Sequence, residues 1–314
     1  MNVREHLLAL NDELRRLKGE GGRNVIASDA SLAQLRQAVE TARVELASAE
    51  KPLPEEKETV PSPTANERQE KSGSPRMVAK KGTAAFSLAP LPAEAPVVTL
   101  AAGDKQTQMD ALRNLVLNHT VCRAHVREGK RVVVGVGDLN AKIFFCGEAP
   151  GADEEVQGEP FVGPAGQLLT KMIHGMGLQR EEVYIGNIMN WRPEMPVGPT
   201  GEQIGNRPPT EEEMNFCLPF LRAQLAIVQP EIIVALGATA TKGLLGHGAF
   251  KALGEVRGHW HEFEDRPLMV TYHPSYILRN QSLRSKREIW EDLLQVMERA
   301  ALPISDKQRG FFLS

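Results

Sequence analysis

Residues 142–163 read KIFFCGEAPGADEEVQGEPFVG. A short apolar run breaks into glycine and proline, passes through five carboxylates, and closes on a second apolar patch, PFV, in a glycine-bounded loop. An apolar run of this length between turn residues reads as a strand buried on both faces. Gly147, Pro150 and Gly151 give it a sharp exit, and Gly163 and Gly166 stand at the opening of a helix. Three further runs repeat the pattern: VYIGNIM at 183–189, EIIVALG at 231–237 and PLMVTYH at 267–273. Helical spacing separates them, as in AGQLLTKMIHGMG and TEEEMNFCLPFLRAQLAIVQ. Strands alternating with helices imply right-handed crossovers and a sheet covered on both faces. The expected fold is therefore α/β, a three-layer α/β/α sandwich around a central, mostly parallel four-stranded sheet. Ligands of such sheets sit beyond the carboxyl ends of the strands. GEAPG, Asn187, GATA and HPSY all fall at those ends.

The rest of the chain is different in kind. Of 314 residues, 1–50 carry two amphipathic helical patterns, with Leu7, Leu8, Leu14 and Leu17 in the first and Leu32, Leu35, Val39, Val44 and Leu46 in the second. Residues 51–106 are rich in proline, glutamate and alanine and read as a disordered linker. The compact domain is expected over 107–302, followed by a tail at 303–314. A hydrophobic content of 41% is enough for a core. No run of 18 apolar residues suggests a membrane span, and the charged N-terminus does not read as a signal peptide, so a cytoplasmic location is expected. Cys122, Cys146 and Cys217 have no regular spacing, which argues against a disulfide framework. Net charge is -3, and the first 106 residues are charge-balanced, so the globular part carries all of it. Any contact with a polyanion must then be local.

For the acidic loop itself, one reading is a turn with solvated carboxylates. A phosphate cradle is disfavoured, because neither G-x-G-x-x-G nor G-x-x-x-x-G-K-[ST] occurs and carboxylates repel phosphate. Acid beside a strand end suits a site that activates water or faces a developing cation. GEAPG followed by GEPFVGPAGQLL, then Asn187 in YIGNIMNWRP, and finally TYHPSYILR together resemble the uracil-DNA glycosylase superfamily, nearest its bacterial and archaeal type 4 branch. The resemblance runs from about residue 115 to residue 300.

The resemblance implies hydrolysis of the N-glycosidic bond of deoxyuridine in DNA by base flipping, leaving free uracil and an abasic site. His273 would donate a hydrogen bond to uracil O2 as that oxygen gains charge. Glu148 would orient or deprotonate water beside the cationic sugar, with Glu154 as a second catalytic carboxylate. Asp153, Glu155 and Glu159 are expected to be solvated. Ala149, Phe161 and Asn187 would hold the uracil, Phe161 by stacking and Asn187 by pairing with O4 and N3–H, a pattern that cytosine reverses. Ser275, Arg279, Leu283, Arg284, Lys286 and Arg287 would meet DNA, a side chain such as Leu283 or Arg279 filling the gap left by the flipped base. The partner is uracil-containing single- or double-stranded DNA, the protein is expected to be monomeric, and the N-terminal helices are candidates for an unidentified protein partner.

The type 4 branch also implies a [4Fe-4S] cluster on four cysteines. Here the matching positions are His119, Cys122, Trp191 and Cys217, two thiols only, so loss of the cluster is expected and no cofactor is required. Cys146 reads as a buried strand residue. Two other readings remain within the superfamily. A lesion-trapping member uses a histidine after the second strand, and 191–209 contains none. A non-catalytic DNA-binding member would lack Glu148, Asn187 or His273, and all three are present.

Overall fold

The computed structural model of the chain describes residues 91–92, 94–198 and 202–313. The N-terminal helices expected at 1–50, and most of the linker, lie outside the described residues. In chain order the structure runs through α1 (Lys105–Asn118), α2 (Thr120–Ala124), β1 (Val136–Gly137), β2 (Ile143–Gly147), α3 (Ala152–Gln157) and α4 (Pro164–Gly175). It continues through β3 (Tyr184–Asn187), α5 (Glu211–Val228), β4 (Ile232–Leu236), α6 (Gly237–Leu245), β5 (Trp260–Phe263) and β6 (Arg266–Thr271). Three helices close it: α7 (Pro274–Arg279), α8 (Leu283–Arg299) and α9 (Asp306–Arg309). No helix among the described residues is long and apolar enough to cross a membrane.

β2 is buried along its whole length, as its unbroken apolar run requires. Successive side chains of a strand face opposite ways. Phe144 and Cys146 accordingly enter the core layer shared with α1, α5 and α6, while Ile143 and Phe145 enter the layer shared with α4 and α8. Each buried phenylalanine contributes about 1.5–3 kcal/mol. This alternation across one strand is what makes the molecule three layers thick.

The sheet has the order β1-β3-β2-β4-β6-β5. β3, β2, β4 and β6 are the four expected strands, and all three pairings among them are parallel. Two antiparallel edge strands were not expected and make the sheet six-stranded: β1 beside β3 and β5 beside β6. β1 is two residues long, too short to leave a periodic signal. β5 is half exposed, and it turns into β6 through Glu264 and Asp265, both in the left-handed region at φ 50° and 61°. A two-residue hairpin needs that conformation, but Asn-Gly is its usual signature, so Glu-Asp hid the turn.

The ends of the domain are more ordered than their sequence suggests. Asp104 caps α1 by accepting from the Thr107 amide, and Leu91, Val98 and Leu100 pack against the core ahead of it. At the far end the Trp290 indole donates to the Gln308 carbonyl at 2.6 Å, and Ile304 and Phe311 lie against the α4/α8 layer.

One buried charge ties sheet to helix. Asp292 of α8 accepts from the Thr271 hydroxyl at 2.6 Å and from Arg257 at 2.8 and 3.0 Å, and burial pushes its carboxyl up to about 6. Asp292→Ala would leave Arg257 facing the interior without its partner. The expected loss is about 3–5 kcal/mol in urea unfolding, with an unchanged m value.

Candidate active site

β2 lies between β3 and β4, and the chain leaves β2 to form β3 on one flank before returning to form β4 on the other. The connections diverge there, which opens a crevice beyond the carboxyl ends of β2 and β4. Glu148 is the first residue beyond β2. α6 starts directly from β4 at Gly237, whose φ is +89°; a Cβ there would also press on the His273 Cβ at 2.9 Å. Cys146 pairs with Ala235, so the same register carries Glu148 to the first turn of α6. The Thr239 side chain of that turn faces Glu148. Burial raises the Glu148 carboxyl and the Thr239 hydroxyl beside it lowers it, burial being the larger effect. Thr239 escaped the sequence reading; GATA at a strand end was its only trace.

Gly147 sits between two groups that require its lack of a side chain. A Cβ at Gly147 would overlap the Asn187 side-chain oxygen and the edge of the Phe161 ring. Asn187 ends β3 at 6% exposure, and its Oδ1 has no hydrogen-bond partner among the described residues. An unpaired buried acceptor costs about 1–3 kcal/mol. Phe161 is also 6% exposed, and its ring lies 5.6 Å from the His273 ring at 31°. A planar ring, an amide and an imidazole therefore come together at the crevice in Phe161, Asn187 and His273. Ala149 is half-buried against the α1/α5/α6 core layer, just after the Gly147 and Glu148 carbonyls accept from the Ile188 and Met189 amides.

The imidazole has a fixed tautomer. The Ser275 amide donates to His273 Nδ1 at 3.1 Å and the Ser275 hydroxyl lies 2.9 Å from the same atom. An Nδ1 that accepts leaves the proton on Nε2. Burial, with a smaller push from the Arg279 charge, lowers the His273 pKa to about 4. His273 thus presents a neutral Nε2–H donor at neutral pH.

The acidic loop divides by environment. Glu154 accepts from the Gly151 amide through Oε2 and from the Val162 and Gly163 amides through Oε1, each at 3.0 Å. Asp153 and Glu159 are exposed, as expected. Glu155 is not solvated, which corrects the sequence reading: it is 5% exposed and accepts from Arg192 at 2.8 Å, with Arg127 and Lys130 each at 3.9 Å. A carboxylate at helical spacing from the core face cannot be told from a solvated one until its partner, 37 residues away, is placed. Arg192 also donates to Asn206 and Gly205, and Arg207 grips Glu213 with two bonds of 2.7 Å, so the 192–207 segment is pinned to the domain at both ends.

Beyond the crevice lies α7 and the start of α8. Arg279 is exposed, Leu283 is 56% exposed, and Arg284 is exposed with only an i,i+4 pair to Glu288. Leu278, 42% exposed beside them, was not singled out from sequence. Arg287 faces elsewhere: it pairs with Glu291 and donates to the Arg309 and Phe311 carbonyls, fastening the C-terminal residues. Lys286 lines an apolar groove of about 330 Å³ with Trp290 and Phe311.

His119, Cys122, Trp191 and Cys217 meet at a buried aromatic knot on the α1/α5 side. His119 sets its edge against Phe216 and Phe220 at 5.5 Å, and Trp191 stacks on His125 at 4.9 Å and 11°. Both thiols are fully buried, which pushes Cys122 up to about 12 and Cys217 well above its ordinary value. Among the described residues no three His, Cys, Asp or Glu side chains are grouped to hold a metal. Two protonated thiols, an imidazole and an indole without a free lone pair do not fit a four-thiolate cluster.

A family model described as the uracil DNA glycosylase superfamily matches residues 134–294. The type-4 uracil-DNA glycosylase of Thermotoga maritima is 39% identical over 192 residues, covering 60% of this chain and 93% of that protein. The type-4 enzyme of Archaeoglobus fulgidus is 38% identical over 188 residues, 57% of this chain and 89% of its own length. A type-5 uracil-DNA glycosylase from Thermus thermophilus is 30% identical over 178 residues, 54% and 81% of the two chains.

The electrostatics of the imidazole can be read directly. In a ¹⁵N-detected NMR titration His273 should stay neutral, with the proton on Nε2, until a midpoint near 4. Arg279→Gln removes a repelling cation, so the midpoint should rise.

Proposed function

The chain belongs to the uracil DNA glycosylase superfamily, and we propose that the crevice beyond β2 and β4 is where it takes a flipped deoxyuridine and hydrolyses the bond between base and sugar. It is a uracil-DNA glycosylase, a hydrolase of DNA repair that acts on uracil-containing DNA. The observation that carries the assignment of the site is the orphaned Asn187 Oδ1 beside the Phe161 ring. Uracil N3–H satisfies that oxygen, the amide NH₂ of Asn187 donates to O4, and the ring stacks on Phe161. Cytosine offers an acceptor at N3 and a donor at its 4-amino group, so it leaves the buried amide mismatched on both sides.

Bond cleavage leaves positive charge on the sugar and negative charge on the departing base. His273 Nε2–H donates to uracil O2 as the charge grows there. A neutral donor suits this task, because an imidazolium would transfer its proton early. Glu148 accepts a proton from the water that adds to C1′, and its carboxylate faces the sugar cation. Glu154 already holds three amides, so its part is to shape the loop that presents Phe161. Arg279 and Arg284 meet phosphates, and Leu283, with Leu278 beside it, enters the duplex at the vacated position. Ser275 serves through His273. Arg287 and Lys286 are left out of this DNA surface, since both are turned toward the C-terminal residues.

No step uses a cluster, and the domain is proposed to fold and turn over without iron, the aromatic knot filling the space. A monomer at the DNA of the cytoplasm completes the reading. Covalent trapping is disfavoured because 191–209 has no histidine to attack the abasic sugar.

Purified protein incubated with a uracil-containing oligonucleotide, then alkali, should give strand cleavage at uracil and free uracil. Glu148→Gln should lower the rate by about 10²–10⁴-fold. Absence of uracil-dependent cleavage on both single and double strands would sink the enzyme reading, and a protein–DNA adduct surviving denaturation would favour trapping. Separately, the protein should be colourless in the visible and keep full activity after chelator treatment; brown protein with several irons per chain would overturn the cofactor proposal.

A further inference from the structure

Phe161 is the non-glycine residue of the site with a left-handed backbone, φ +54°. A bulky residue held there stores about 1–3 kcal/mol of strain and relaxes unless its surroundings forbid it. The two peptide planes that set its conformation are both gripped. On the C-terminal side, Glu154 Oε1 accepts from the Val162 and Gly163 amides at 3.0 Å. On the N-terminal side, Arg180 Nη2 donates to the Pro160 carbonyl at 2.7 Å. That carbonyl belongs to the peptide joining Pro160 to Phe161, so its direction is coupled to the Phe161 φ. Gly166, in the first turn of α4, lets the helix pass against the Phe161 carbonyl, where any Cβ would overlap it. Arg180 is in turn fixed by the Thr170 hydroxyl of α4, at 3.2 Å.

We infer that Arg180 is a positioning residue for the base-stacking ring: its guanidinium clamps the Pro160 carbonyl and thereby holds Phe161 in the strained conformation that lays the ring beside Asn187 and His273. It does not touch the base. It lies 19 residues along the chain from Phe161, on the short helical turn Arg180–Glu182 before β3, and no part of the acidic-loop motif includes it. A hydrogen bond from a charged donor is strong enough to hold the strain, since such bonds contribute about 1.5–3 kcal/mol. The inference rests on the proposed role of Phe161.

A double-mutant cycle tests it, with Arg180→Met, Phe161→Ala and the double variant assayed for uracil excision and for inhibition by free uracil. Arg180→Met keeps the aliphatic stem and loses the fork. It should lower kcat/KM about tenfold and weaken free-uracil inhibition by a similar factor, with KM rising more than kcat falls. Acting through Phe161, it should add nothing to Phe161→Ala, so the double variant matches that single one. Losses that multiply in the double variant, or an Arg180→Met enzyme at wild-type level while Phe161→Ala is impaired, would overturn the role of Arg180 alone. A Phe161→Ala enzyme with wild-type kcat/KM and wild-type uracil inhibition would overturn the stacking reading, and this inference with it. Should Arg180→Met fail to fold, Arg180→Gln, whose shorter side chain withdraws the donor from the Pro160 carbonyl, carries the same cycle.

Discussion

The site depends on the absence of one side chain. At Gly147 the backbone of β2 passes so close to the Asn187 amide and the Phe161 ring that no Cβ fits. An alanine there would push the Asn187 amide and the Phe161 ring apart. Everything downstream follows from the strand ending at that glycine: Glu148 is delivered to the first turn of α6, the loop turns back through Glu154, and Phe161 returns to cover the strand it left. The sheet register then fixes His273 from the other flank, because β6 ends where Gly237 allows close approach.

Much of this was legible in the sequence, for physical reasons. The four parallel strands are buried on both faces, so each is an unbroken apolar run, and the motifs at their carboxyl ends could be placed at the crevice before any coordinates. The two edge strands were missed because a half-exposed strand and a two-residue bridge leave no run to read. Glu148, Phe161, Asn187 and His273 do converge. What the sequence could not convey was the division of labour among identical residue types. Glu148, Glu154 and Glu155 lie within eight positions, yet one faces the crevice, one binds three amides and one is a buried counterion for Arg192. Only the position of distant donors separates these fates. The same holds for Arg284 and Arg287, three residues apart on α8, one exposed and one fastened to the C-terminal residues.

The knot of His119, Cys122, Trp191 and Cys217 is assembled from rings and thiols in contact. Stacked rings and protonated thiols need no charge balance, and burial itself keeps the thiols from ionising. Dispersion and aromatic contact hold α1 and α2 against α5 and the segment after β3. The ionic links between Arg192, Arg207 and their carboxylates then hold the chain beyond the knot.

The unpaired oxygen of Asn187 and the left-handed backbone of Phe161 stand within one crevice, and both make the resting fold less stable than it could be. The ring that Phe161 buries outweighs its backbone strain: a glycine at 161 would forfeit about 3–5 kcal/mol of packing to recover about 1–3 kcal/mol of strain.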